Sequence, residues 1–342
     1  MSFQQCKTQL IAVDVNSPDR DVIAHAAALV QSGQLVAFPT ETVYGLGANA
    51  LDDVAVARIF EAKGRPANDP IIVHVADANA ARPLVADWPT TADRLIERFW
   101  PGPLTLVFNK SALVPDIVTA DGPTVAIRSP AHPVARALLL AAGLPIAAPS
   151  ANRSTAVSPT TAAHVLASLV GRIPLILDGG ACGRGIESTV LNVACNPPVL
   201  LRPGPITHAE LEAIVGCVHI APHAEAAAGA LPSPGRMERH YAPRAALEII
   251  DARQFTARAA ALRASGATVG RIRLESSDAI APSPADALTL TLPADATGYA
   301  AGLSAALHRL DDLGVTHILV DMPPDSPEWL AIHDRLRRAA HR

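Results

Sequence analysis

The chain has 342 residues, 49% of them hydrophobic and 4% aromatic, with a formal net charge of -4. That length exceeds one ordinary core and predicts two domains of roughly 100–200 residues each. The mild acidity excludes a chain-wide nucleic-acid charge, and neither a signal-peptide pattern nor an apolar run of spanning length is visible.

Residues 17–33 predict a helix that begins at Ser17 and Pro18, with proline in the first turn, and ends at Gly33. A strand over residues 34–38 stops at Pro39 and enters a polar, glycine-bearing turn over 40–47. Asp52 caps a helix in which Val56, Ile59, Phe60 and Lys63 keep a helical spacing, and Gly64 ends it. A second apolar strand, 71–75, carries His74 in its middle. Short strands at 104–108, 124–127, 145–148, 175–177, 189–193 and 199–201 alternate with helices at 91–99, 132–142, 159–170 and 207–215. This mixture predicts a twisted α/β sheet of parallel and antiparallel strands.

Between 217 and 235 the texture turns to Ala, Pro and Gly without periodicity, which reads as an interdomain linker. The expected organisation is a catalytic domain over 1–216, a linker or lid over 217–243, and a smaller domain over 244–342. In the last part, strands near 246–250, 268–274, 287–292 and 317–321 alternate with helices near 253–264, 298–313 and 327–340. That alternation predicts a small parallel, Rossmann-like α/β domain, and its lack of reactive clusters suggests a regulatory or lid-supporting role.

Cys6, Cys182, Cys195 and Cys217 have neither metal-knuckle nor redox spacing and read as reduced thiols, so a cytoplasmic location is expected. Gly45-Leu46-Gly47-Ala48-Asn49-Ala50 matches G-x-G-x-x-A, but a polar turn separates it from the strand and Asp69 precedes a strand instead of ending one, so a dinucleotide site is disfavoured. There is no Walker loop and no G-x-S-x-G elbow. Only three of the 28 basic residues are lysine, which makes Lys63 stand out. Lys63 and Arg65 at a helix end could be an ordinary solvated terminus. With Arg128 closing the strand 124–127, however, they could converge on a polyphosphate or a carboxylate.

His74 is open to two readings, a satisfied core histidine or a partner for a small polar ligand. Ser158 is expected to cap the helix that follows, and the same hydroxyl-rich helix start, with Ser150 and Asn152 nearby, is a possible phosphate seat. Arg202 closes another strand after the turn Gly183–Thr189, adding a cation to the strand-end rim. Residues 233–243, SPGRMERHYAP, are oddly specific for a tether, and Tyr241 there suits a lid over a ligand.

The stretches PTETVYGLGANA, KGRP, PIIVHV, TVAIRSP, APSANRSTAVSPT, GIESTV, LRPG and SPGRMERHYAP together resemble the threonylcarbamoyl-AMP synthase (YrdC-like) family in its long form with a C-terminal extension domain. The resemblance spans essentially the whole chain. It implies an enzyme that makes threonylcarbamoyl-adenylate and pyrophosphate from L-threonine, bicarbonate and ATP, supplying tRNA threonylcarbamoyl-transfer machinery that modifies the position beside the anticodon. It further implies that Thr42, His74, Arg128, Ala148 and Ser188 line a threonine pocket. Arg65, Asp69, Thr124, Ser150, Ser158, Arg202 and Tyr241 would meet ATP, with Lys63 beside its phosphates and Lys63 and Arg65 as the catalytic cations. An aspartate at 69 would repel phosphate unless Mg²⁺ or a neighbouring arginine intervenes. Mg²⁺ is expected with ATP, without a dedicated protein site. The rival class is a module that binds double-stranded RNA or tRNA without chemistry, which would spread arginines along a face. Carbamoyl transfer to another acceptor, as in hydrogenase-maturation proteins, is the second rival, although the cysteine spacing lacks their zinc knuckles.

Overall fold

A computed structural model describes residues 6–221, 240–275 and 288–341. In chain order the strands of the larger sheet are β1 (Gln9–Ala12), β2 (Val36–Phe38), β3 (Gly45–Asn49), β4 (Val73–His74), β5 (Leu104–Asn109) and β6 (Thr124–Arg128). They continue with β7 (Ile146–Ala147), β8 (Leu175–Asp178), β9 (Thr189–Asn192), β10 (Val199–Arg202) and β11 (His219–Ile220). A second sheet holds β12 (Ala246–Ile250), β13 (Val269–Leu274), β14 (Thr289–Leu292) and β15 (His317–Asp321). The larger sheet runs β1-β8-β2-β3-β7-β4-β6-β5-β9-β10-β11 with parallel and antiparallel pairs, and the smaller runs β12-β15-β13-β14 with parallel pairs only. This is the mixed α/β architecture with a parallel second sheet that the sequence predicts.

The period-2 alternation of the strands divides the larger core between two faces. Leu35, Ala37 and Ile176 face the helices Asp53–Lys63, Thr90–Phe99 and Ala162–Leu169, whereas Val36, Phe38, Leu175 and Leu177 face Arg20–Gln31 and Pro133–Ala142. The pairing also sets the site. β4 and β6 are parallel neighbours in the register His74↔Arg128, so a histidine and an arginine 54 positions apart sit level on adjacent strands. The β9–β10 register shifts between Leu200 and Arg202, and such irregularities re-aim side chains near sites.

Several expectations are corrected. The first helix begins at Arg20 under an Asp19 cap, because the Asp19 carboxylate accepts from the Asp21 and Val22 amides. The glycine-bearing turn ends sooner than expected, and Gly45–Asn49 is a strand antiparallel to β2. Its glycines fit because a Cβ on Gly47 would lie 2.7 Å from the Phe38 ring and 2.8 Å from Ile146. β1 was hidden in a polar N-terminal stretch and is drawn into the sheet by its parallel pairing with β8. Thr161, not Ser158, caps the helix Ala162–Leu169 by accepting from the His164 amide. His219–Ile220, expected in the linker, pairs with β10, while 222–239 lie outside the described residues. No described helix is long and apolar enough to cross a membrane.

Candidate active site

A cavity of about 520 Å³, partly open to solvent, lies over the ends of β4, β6, β7 and β10. Thr40, Thr42, Arg65, Ile72, His74, Arg128, Ala148, Ser150, Glu187, Ser188, Arg202, His240 and Tyr241 are among its lining residues. The structure therefore gathers nine residues expected at the site: Thr42, Arg65, His74, Arg128, Ala148, Ser150, Ser188, Arg202 and Tyr241.

On one side, Arg128 is buried and held from three directions. Its Nη2 lies 2.7 Å from Glu41 Oε1, its Nη1 donates to Thr42 Oγ1 at 2.8 Å, and its Nε donates to the Gly102 carbonyl at 3.1 Å. Such a fixed fork is pre-organised for a planar carboxylate. Burial would raise the Glu41 carboxyl, but Arg128 outweighs it and holds the group below the usual carboxylate range. His74 beside it is pushed down to about 3, first by burial and then by the Arg128 charge, so its imidazole is neutral near pH 7. Its Nδ1 has no hydrogen-bond partner among the described residues. A buried polar atom left unmatched at a cavity wall favours a ligand that supplies the match.

The other side is cationic. Arg202 donates through Nε and Nη2 to the Ser188 carbonyl at 3.1 and 2.9 Å, and Ser188 Oγ shares a 2.7 Å hydrogen bond with Thr105. Arg65 is paired with Asp69 at 2.9 Å and also donates to the Asp69 and Pro70 carbonyls. A neighbouring arginine thus intervenes at Asp69, which is fully buried and does not line the cavity. Tyr241, at φ 60°, presents a hydroxyl that is unpartnered among the described residues, and burial pushes it up to about 12. Backbone strain of this kind persists where the surroundings fix it, often at ligand clamps.

Besides Asp69, three expected residues sit outside the lining. Lys63 is buried behind the wall, where Nζ donates to the Ser150 and Asn152 carbonyls at 2.6 and 2.5 Å and to Asn152 Oδ1 at 3.3 Å. Burial, then the Arg65 charge, lowers its pKa well below the ordinary lysine value. Ser158 donates to Glu187 instead of facing the cavity. Thr124 opens β6, roughly 13 Å of strand away from Arg128 at ~3.3 Å per residue, and is outside the lining.

Sequence reasoning missed Glu41, Glu187, His240 and Arg335. The first three lie inside the motif stretches already singled out, so an acid within an anion-binding motif was a readable sign that an arginine needs a counter-charge. Arg335 carried no such signal, being one basic residue among several on the helix Leu330–Ala340. Among the described residues no three His, Cys, Asp or Glu side chains gather as a metal site, and both carboxylates nearest the cavity are already paired with arginines.

Residues 28–204 match the family model described as telomere recombination, and residues 206–341 match the one described as threonylcarbamoyl-AMP synthase, C-terminal domain. Over 342 aligned residues the chain is 44% identical to the threonylcarbamoyl-AMP synthase of Bacillus subtilis, covering 98% of each. It is 38% identical to that of Schizosaccharomyces pombe over 95% of this chain and 89% of the relative. The crystal structure of Pyrococcus abyssi Sua5 complexed with L-threonine superposes with a TM-score of 0.90 at 41% identity, covering 97% of each chain. Matches of that length and identity include both sheets and the segment between them, and the chain belongs to the threonylcarbamoyl-AMP synthase family.

Proposed function

We infer that this enzyme makes threonylcarbamoyl-AMP and pyrophosphate from L-threonine, bicarbonate and ATP. The observation that carries the reading is the level pairing of Arg128 with neutral His74 on β4 and β6, facing Arg65 and Arg202 across one cavity. The threonine-bound state of the Pyrococcus abyssi protein supports the same ligand here.

In this reading the Arg128 fork takes the threonine carboxylate, and the unpartnered His74 Nδ1 and Thr42 Oγ1 meet its hydroxyl or amine. Ala148 and Ser188 complete that end of the cavity. The threonine amine combines with bicarbonate, losing water, to give a carbamate. A carbamate oxygen then forms a bond to the α-phosphorus of ATP as the bond to the β-phosphate oxygen breaks, and pyrophosphate leaves. Arg65 and Arg202 neutralise the triphosphate, while Ser150 and Tyr241 border the nucleotide. Asp69 serves through Arg65, Ser158 through Glu187, and Lys63 by fixing the carbonyls of Ser150 and Asn152. Thr124 would meet a nucleotide only if it extended along β6. A divalent ion, Mg²⁺ in our proposal, enters as the ATP chelate and supplies further neutralisation of phosphate charge, since the described residues gather no ligand set for it.

Arg65, Arg128 and Arg202 are 9%, 3% and 4% exposed, which suits a small anion more than an RNA surface. We place the reaction in the cytoplasm, ahead of tRNA threonylcarbamoyl transfer, with catalytic, linker and extension segments divided near 217 and 243. Pyrophosphate release from ATP and bicarbonate should depend on L-threonine and be far weaker with L-serine or no amino acid. Release that ignores the amino acid would contradict the assignment.

A further inference from the structure

We propose that Arg335, brought from the last helix of the second α/β unit, is a positioning residue for the nucleotide end of the cavity, withdrawing the Glu187 carboxylate from the cations that meet ATP. The proposal rests on the ATP reading given above.

Glu187 lines the cavity together with Arg65, Arg202 and Tyr241. An acid at that wall opposes a triphosphate unless its charge is engaged elsewhere. Both of its oxygens are engaged by residues outside the cavity lining. Arg335 Nε donates to Glu187 Oε2 at 2.7 Å, and the Ser158 hydroxyl donates to Oε1. The arginine is itself fixed, since Nη1 donates to Asp334 Oδ2 at 2.8 Å and Nη2 to the Pro203 carbonyl at 3.2 Å. Its guanidinium carbon also lies 4.8 Å from the centre of the Tyr241 ring, so a single side chain touches both an acid and an aromatic of the cavity wall. At 3% exposure Arg335 has no solvent to substitute for these partners.

The segment bearing Glu187 is fastened to the second unit at neighbouring points. Ser304 Oγ donates to the Gly185 carbonyl at 2.9 Å, and His308 Nε2 lies 3.1 Å from the Ser158 carbonyl. Gly185, at φ 69°, approaches the helix Ala296–Asp312 so closely that a Cβ would lie 2.4 Å from the Ala300 carbonyl oxygen. The orientation of Glu187 is thus set by the second unit, not by its own loop alone. Without Arg335 the charge left to neutralise Glu187 is that of Arg202, which already acts on this carboxylate. Arg202 would then be divided between an internal acid and the nucleotide.

The test is steady-state pyrophosphate release by the full chain, varying ATP at saturating L-threonine and bicarbonate. Arg335→Ala is expected to raise KM for ATP at least about tenfold, with KM for L-threonine moving less than about threefold, and Arg335→Lys should fall between. In a Glu187→Gln background, where no acid needs withdrawing, Arg335→Ala should move KM for ATP less than about twofold. Equal shifts in the two backgrounds, or no shift from Arg335→Ala alone, would overturn the proposal. Removing one member of a buried pair can unfold a chain, so the pair Glu187→Gln and Glu187→Gln/Arg335→Ala, checked by circular dichroism, decides if the single arginine variant does not fold. There, matching KM values for ATP support the proposal and a tenfold difference overturns it. A wild-type chain without threonine-dependent release would instead remove the ATP reading itself.

Discussion

Arg128 and Lys63 show how the same charge class serves opposite purposes at one site. Arg128 faces the cavity with its fork fixed by Glu41, Thr42 and a carbonyl, so it is ready for a carboxylate. Replacing it with Gln removes a charged hydrogen-bonding partner, typically ~1.5–3 kcal/mol, and should raise KM for L-threonine by roughly 10- to 100-fold. An unchanged threonine titration by calorimetry would contradict that role. Lys63 points the other way and ties the Ser150–Asn152 loop from behind. Lys63→Ala should therefore retain the far-ultraviolet spectrum but slow pyrophosphate release, by releasing a loop that lines the cavity at the end proposed for the nucleotide. Release at the original rate would contradict it. The types of these residues were readable in the sequence, since a rare lysine at a helix end and an arginine at a strand end are conspicuous. Their directions were not, because Lys63 is held by backbone carbonyls 87 and 89 positions away and Arg128 by Glu41, Thr42 and the Gly102 carbonyl, which no local pattern encodes.

At the scale of elements, alternation and capping made most strands and helices legible. Asp52 and Gly64 bracket their helix as expected, with the aspartate accepting from the Val54 and Ala55 amides and the glycine at φ 63°. β3 was not legible, because its sequence, Gly-Leu-Gly-Ala-Asn, has poor strand propensity and earns its place through close packing alone. Gly47→Ala is expected to cost about 1–3 kcal/mol, since its methyl would press on Phe38 and Ile146 in the core. The urea midpoint should fall accordingly, and an unchanged midpoint would show that the ring can move aside. The cap at Thr161 was hidden for a different reason. Ser158 and Thr161 are both good caps, and the choice fell to tertiary structure, which directs the Ser158 hydroxyl to Glu187.

At the scale of the molecule, neutral histidines, His74 buried and His164 half-buried, set the acid limit. Burial, then the Arg128 charge, holds His74 at about 3, and burial, then the neighbouring His308, holds His164 at about 4, both below the ordinary 6.5. A depressed histidine leaves the unfolded chain binding more protons than the folded one, so stability is undiminished above pH 6.5 and is lost as pH falls toward 4 and then 3. Each such group contributes a slope of at most ~1.4 kcal/mol per pH unit in that window. Glu41, Glu187 and Asp334, lowered by their arginines, add losses once pH falls below the ordinary carboxylate values of 4.5 and 3.8. The unfolding free energy should decline between pH 6.5 and 5, less steeply in His164→Gln, and a flat profile would contradict the burial of these rings. His164 and His308 stack 3.9 Å apart, so this acid weakness lies where the helix Ala162–Leu169 meets the helix Ala296–Asp312. The composition of the two units was legible in the sequence, but their contact was not, since Arg335, Ser304 and His308 acquire meaning only beside Glu187, Gly185 and Ser158.

In the proposed reaction one cavity joins threonine, bicarbonate and ATP. The most direct measurement supplies isotope-labelled bicarbonate with ATP and L-threonine and follows the label by chromatography. The label is expected in an adenylated threonine product, formed in step with pyrophosphate and strongly reduced in Arg128→Gln at threonine concentrations near the wild-type KM. An unlabelled adenylate, or pyrophosphate released without any labelled product, would contradict it.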